Sequence, residues 1–164
     1  MMTSIDPRSA TRGILQAGVA APEFQIPAGP EEKVSLKQFR GKPVILAFYP
    51  ADFSPVCGDQ MALYNETLED FGEYDAQILG ISVDGPWCHK AYVASRKLKF
   101  PLLSDFHPKG EVSKAYGVYD EQWGTSRRAL FVIDGEGVIR WSYLSPIDIN
   151  PGADGILTAL DALK

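Results

Sequence analysis

Reactive chemistry has few places to sit in this chain: two cysteines, Cys57 and Cys88, and two histidines, His89 and His107. Cys57 stands in "FYPADFSPVCGDQ", just past a run of β-forming residues and directly behind Ser54, Pro55 and Val56. Serine is favoured as a helix N-cap, and proline at the first helical position, where a missing N–H does no harm. A helix opening at Ser54 therefore places Cys57 third, in the first turn. There the free N–H groups and the positive end of the helix dipole favour a thiolate over a thiol. Met61, Tyr64, Leu68 and Phe71 follow at helical spacing, so the sulfur is expected to face the protein. A shielded, activated nucleophile is one reading of that position. A packed side chain is the other, because free cysteines are among the most buried residues.

"DGPWC" repeats the local grammar of "FSPVC" and puts Cys88 in the first turn of a second helix. Two cysteines exclude a disulfide-dense scaffold. The chain has no CxxC and no HxxxH, and the adjacent Cys88 and His89 make a poor ligand pair on one helix. No metal site is expected. A lone histidine at a helix start more often serves as a structural hydrogen-bonder, so His89 is given no catalytic role. His107, in "DFHPKG", reads as loop.

The elements that must position these residues follow from pattern. "PVILAFYP" (43–50) is a continuous apolar run, the mark of a strand buried on both faces, and "AQILGISVD" (76–84) is a second. A short edge segment, a turn at "AGPEE" and a helical turn near 35–39 come before them. "PWCHKAYVASRKL" reads as a helix, "FPLLSD" as a short extended piece, and 110–116 as a helical turn. "RALFVIDGEGVIRWSYL" is a hairpin around "DGEG", and "GADGILTALDAL" is a closing amphipathic helix. This order describes a parallel pair extended by antiparallel strands: an α/β, thioredoxin-like fold with a central mixed sheet flanked by helices. Residues 1–17 read as an N-terminal arm, and 18–164 as one domain.

Composition narrows the classes further. Of the 164 residues, 45% are hydrophobic and 23% charged, an ordinary globular balance. A net charge of -5 disfavours nucleic-acid and anionic-membrane surfaces, which need clustered Lys and Arg. No apolar run approaches the roughly 20 residues of a membrane span. The N-terminus lacks an apolar h-region, so no signal peptide is expected and the cytoplasm is the expected location.

The segments around Cys57 resemble the peroxiredoxin family. "PADFSPVC" is similar to its active-site pattern Pro-x-x-x-Thr/Ser-x-x-Cys, matched by Pro50, Ser54 and Cys57. "APEF", "LKQFRGKPVILAFYP", "ISVD", "HKAY", "FPLLSDFHPKGEVSKAYGVYDEQ" and "RALFVIDGEGVIRW" are similar to further family segments in the family's order. The agreement runs from about Gly18 to the C-terminus and looks most like the alkyl hydroperoxide reductase E and bacterioferritin-comigratory (PrxQ) branches.

The resemblance implies a thiol-dependent peroxidase of the thioredoxin-like fold with a peroxiredoxin N-terminal extension. Cys57 would be the peroxidatic nucleophile. Arg128, in "RALFVID", would stabilise the thiolate and the charge developing on the leaving oxygen. Strand alternation puts Arg127 on the opposite face. Ser54 keeps the hydroxyl of the family's usual Thr for orienting peroxide, unless N-capping claims it. Pro50 would shield the site. Gln60 stands where relatives often carry Glu. The resemblance implies no cofactor, a peroxide substrate, a thioredoxin-type reductant, and a monomer or homodimer.

Cys88 is the candidate resolving cysteine. It lies 31 residues after Cys57, unlike the five-residue PrxQ spacing, in the following helix where other members carry theirs. Adjacent parallel strands lie about 4.8 Å apart, so both helix starts emerge at one sheet edge. A disulfide needs Cα atoms within about 7 Å, which calls for local unwinding of the Cys57 helix. The alternatives are a one-cysteine peroxidase with Cys88 as spectator, or a redox relay. A disulfide reductase is disfavoured, because Ser54 and Gln60 occupy the two positions that could complete a CxxC with Cys57.

Overall fold

A computed structural model describes residues 13–164; most of the expected arm, 1–12, lies outside the described residues. The chain opens with an antiparallel hairpin of β1 (Gln25–Pro27) and β2 (Lys33–Ser35) and a 3-10 turn (Leu36–Phe39). Then come β3 (Val44–Phe48), α1 (Pro55–Glu66), α2 (Leu68–Gly72), β4 (Gln77–Ser82), α3 (Pro86–Arg96) and β5 (Leu102–Ser104). The second half holds α4 (Glu111–Ala115), β6 (Tyr119–Asp120), β7 (Thr125–Ser126), β8 (Ala129–Ile133), β9 (Ile139–Leu144) and α5 (Asp154–Asp161).

Five strands form the central sheet in the order β5-β4-β3-β8-β9. β3, β4 and β5 are parallel, and β8 and β9 extend the sheet antiparallel. β3 sits in the middle with every residue buried, as its unbroken apolar run requires. Alternation divides its side chains between two cores. Leu46 and Phe48 pack with Phe24, Val34, Tyr116 and Phe131 on one face. Ile45 and Ala47 pack with Met61, Tyr64, Tyr92, Ile156 and Leu160 on the other. Helices α1, α2, α3 and α5 therefore cover the second face, and the N-terminal hairpin and α4 the first.

Two details depart from the sequence pattern. The stripe through Met61, Tyr64, Leu68 and Phe71 is interrupted at Thr67, whose φ of -94° and ψ of 0° separate α1 from α2. The Thr67 hydroxyl donates to the Leu63 carbonyl at 2.7 Å, a back-bond that competes with the helix ladder. The small β6–β7 pair was not foreseen; each strand is two residues long and carries no readable period. Among the described residues, no helix is long and apolar enough to cross a membrane.

Register fixes what meets at the carboxyl edge of β3. Phe48, the last residue of β3, pairs with Ile81 of β4 and with Ala129 of β8. The loop leaving β3 toward Cys57 thus runs beside Arg128, which enters β8. The two residues are 71 apart in the chain, and strand pairing brings them together.

Candidate active site

Between β3 and α1 the chain passes Pro50, Ala51, Asp52 and Phe53, with Pro50 half-buried. Phe53 takes a left-handed φ of 67°, rare for a bulky residue, and this bend delivers Ser54 to the start of α1. Ser54 has the extended backbone of an N-cap, Pro55 is the first helical residue and Cys57 the third, as expected. The capping hydroxyl is the exception: it donates back to the Ala51 carbonyl at 3.1 Å and makes no bond to the helix N–H groups. It is therefore a loop hydroxyl at the mouth of α1, able to rotate toward a bound molecule.

Cys57 is fully buried. Arg128, 2% exposed, donates from Nη1 to the Cys57 sulfur at 3.3 Å and to Gln60 Oε1 at 2.7 Å. Its Nε and Nη2 both donate to the Ile147 carbonyl, at 3.0 and 2.8 Å. The planar guanidinium is thus fixed along two edges and aimed at sulfur. None of the ion pairs among the described residues involves it, so its charge is not neutralised by a carboxylate. Arg127 is exposed, and although strand alternation predicts the opposite face it lines the same hollow as Arg128.

Gln60 supports this arrangement. It is fully buried on α1, accepts from Arg128 and donates from Nε2 to the Tyr64 hydroxyl at 3.0 Å, which in turn donates to the Gly152 carbonyl at 3.1 Å. A neutral amide orients the guanidinium without drawing its charge away from sulfur. A hollow of ≈ 190 Å³ lined by Asp120, Arg127, Arg128, Leu144, Ser145 and Ile147 opens beside the guanidinium.

Cys88 has the same helical address and a different environment. It is the third residue of α3, after Gly85 at the N-cap position and Pro86, and it is half-buried. Its sulfur lies 4.0 Å from Asp84 Oδ1. Burial, followed by the charges of Asp52 and Asp84, pushes this thiol up to about 11. Asp84 is the better acceptor for the thiol proton, because both Asp52 oxygens are engaged elsewhere. Asp52 Oδ1 accepts from the Tyr49 hydroxyl at 2.6 Å, and Oδ2 meets His89 Nδ1 at 2.7 Å.

Asp52, Asp84 and Cys88 lie within 4.8 Å of one another, but the carboxylates are taken up by the protein's own donors. Asp84 Oδ2 accepts from the Asp52 amide at 2.9 Å and the Ser82 hydroxyl at 2.5 Å. His89 is a buried hydrogen-bonder, with Nε2 3.0 Å from the Leu103 carbonyl. Both cysteines are free thiols.

With this geometry in view, comparison with known proteins is direct. The AhpC/TSA family model matches residues 17–142. The chain belongs to the AhpC/TSA family. It is similar to alkyl hydroperoxide reductase E of Mycobacterium tuberculosis, 39% identical over 130 residues that cover 79% of this chain and 85% of the relative. It is also 36% identical over 157 residues to the thioredoxin peroxidase of Echinococcus granulosus, covering 90% and 80% of the two chains. The crystal structure of peroxidoxin BcpB from Mycobacterium tuberculosis superposes with a TM-score of 0.84 at 27% identity, covering 92% and 99%. The chain therefore has a thioredoxin-like peroxiredoxin fold, and it is a thiol-dependent peroxidase.

In this AhpC/TSA protein the residues missed by sequence reading are those whose partners are distant. In the sequence Gln60 shows only as a replacement of the Glu that relatives often carry, although it accepts directly from Arg128. Asp52 and Asp84 went unremarked. Both follow buried parallel strands at the carboxyl edge, the usual location of sites in α/β folds, and that signal was available.

Proposed function

We propose that Cys57 is the peroxidatic cysteine, and that the 3.3 Å contact from Arg128 is the observation that carries this role. A fixed, unneutralised guanidinium on a buried sulfur stabilises the thiolate and the negative charge that passes to the leaving oxygen. The thiolate attacks one oxygen of the hydroperoxide in line, and the O–O bond breaks. The hydroperoxide proton ends on the leaving oxygen, giving water or an alcohol and a sulfenate at Cys57. Sulfur loses two electrons and the peroxide gains them. The Ser54 hydroxyl turns from the Ala51 carbonyl to orient the peroxide, and Pro50 limits water at the mouth.

Cys88 resolves the sulfenic acid as an intramolecular disulfide in this reading. Support comes from the shared edge: α1 and α3 follow adjacent parallel strands, and each holds its cysteine third. Once opening of the first turn of α1 brings the sulfurs together, the Cys88 thiol attacks the Cys57 sulfur and gives its proton to Asp84, the S–O bond breaks, and the sulfenic oxygen takes up a proton and leaves as water. A thioredoxin-type dithiol then reduces the disulfide, a partner class supported by the name of the Echinococcus relative. The chain works as a monomer or homodimer on hydrogen peroxide and organic hydroperoxides, in a reducing compartment such as the cytoplasm.

Intact mass after one equivalent of hydrogen peroxide tests the scheme. Wild type is expected to lose two hydrogens, Cys88→Ser to gain one oxygen, and Cys57→Ser to remain unchanged. Peroxide consumption by Cys57→Ser at the wild-type rate overturns the role of Cys57. A stable oxygen adduct in wild type makes Cys88 a spectator.

A further inference from the structure

The Tyr92 hydroxyl is fully buried and has no hydrogen-bond partner among the described residues. A buried donor without an acceptor is rare in native proteins, because nothing offsets its loss of water. The Tyr92 ring packs against the active-site segment, and α3 is pinned to that segment on either side of it. Phe53, in the loop before Cys57, packs edge-on to it with centroids 4.9 Å apart. One helical turn earlier, His89 joins Asp52 of the same loop. One turn later, the Arg96 guanidinium lies against Gly58, filling the space a side chain there would take. Tyr92 shares its apolar cluster with Cys57 itself. Burial pushes the phenol up to about 12, opposed by Arg96 and aided by the charges of Asp52, Cys57 and Asp84. At neutral pH it is a protonated donor waiting for an acceptor.

Peroxide reduction adds one acceptor to this site, the oxygen that Cys57 takes. We infer that the Tyr92 hydroxyl donates its hydrogen bond to the Cys57 sulfenate oxygen and thereby restrains the sulfenate from a second oxidation. In that second step the sulfenate sulfur attacks another hydroperoxide, the O–O bond breaks, and a sulfinate and an alcohol or water result. Hydrogen bonding to the sulfenate oxygen withdraws electron density from sulfur and slows this attack. The inference rests on Cys57 as the peroxidatic cysteine.

The test uses Cys88→Ser protein, in which the sulfenate persists, with and without Tyr92→Phe. Removing an unpartnered hydroxyl leaves the reduced protein at least as stable as before. One equivalent of hydrogen peroxide gives the one-oxygen adduct in both proteins, at rates within about twofold for the loss of a group that reduced Cys57 does not use. With excess peroxide, the two-oxygen adduct forms about tenfold to a hundredfold faster in Tyr92→Phe, the worth of one hydrogen bond to a charged oxygen. Oxidation to the sulfenate raises the melting temperature more in the tyrosine protein than in the phenylalanine one, a difference that ring packing alone does not produce. Equal second-oxidation rates, or lower reduced-state stability in Tyr92→Phe, overturn the inference while leaving Cys57 in its role. Absence of any oxygen adduct in Cys88→Ser overturns both.

Discussion

The starts of α1 and α3 are near copies in sequence and opposites in the charge that surrounds their cysteines. Each has a proline at the first helical position and a cysteine at the third, at the carboxyl end of a parallel strand. Helix position alone gives both sulfurs the same dipole. What separates them arrives from elsewhere in the chain. Cys57 receives Arg128 from the far side of β3, held by the Ile147 carbonyl and the neutral Gln60. Cys88 has the carboxylates of Asp52 and Asp84 close by. In the proposed assignment, reactivity is set by the charges that tertiary structure delivers, and the helix start alone does not distinguish the two sulfurs.

The largest expected effect comes from removing the delivered charge. Arg128→Met keeps much of the volume and should slow Cys57 oxidation by about 10²–10³-fold, in the range of other transition-state charge stabilisers. Stopped-flow fluorescence on the reduced protein measures it. Arg128→Lys should fall between, because an ammonium keeps the charge and loses the fork on Ile147. A rate for Arg128→Met within threefold of wild type breaks the contrast between the two helix starts.

The reciprocal change removes a carboxylate from beside Cys88. In a Cys57→Ser background, Asp84→Asn should speed iodoacetamide alkylation of Cys88 at pH 8 by about tenfold, the effect of one pKa unit on thiolate fraction. The same environment sets a pH dependence of stability. In the fold the Cys88 thiol holds its proton to about 11, against an ordinary value of 9.0. Its stabilising contribution is full below pH 9.0 and is lost as pH rises through about 11. Cys88→Ser should flatten that part of a denaturation series.

A smaller effect sharpens the role of Gln60. Gln60→Glu places a carboxylate on the guanidinium that touches the Cys57 sulfur, and should slow oxidation about threefold to tenfold. Smallest of all is the effect of Ser54→Ala on stability. A capping serine is worth about 1 kcal/mol, but this hydroxyl bonds the Ala51 carbonyl instead. Its loss should cost under about 0.5 kcal/mol by urea denaturation of the reduced protein.

Much of the frame was legible because local patterns carry it. The apolar runs 43–50 and 76–84 gave strands buried on both faces, and "DGEG" gave the β8–β9 turn, where Asp134 accepts the amides of Glu136 and Val138. The helix start at Pro55 followed from Ser54 and Pro55 alone. The interruption at Thr67 was not legible, since a hydroxyl back-bond leaves the hydrophobic period intact. Arg128 was reached through family resemblance, with alternation choosing it over Arg127. The Gln60–Arg128–Ile147 and Tyr49–Asp52–His89 networks were invisible, because each joins residues tens of positions apart that only sheet register brings together.

The contrast between the helix starts is tested most directly by asking which sulfur takes the first oxygen. Reduced wild-type protein is mixed with substoichiometric hydrogen peroxide, trapped with a sulfenic-acid reagent within milliseconds, and mapped by peptide mass spectrometry. All first-formed adduct is expected on Cys57, with Cys88 unmodified. Adduct on Cys88 at comparable or greater yield contradicts the assignment.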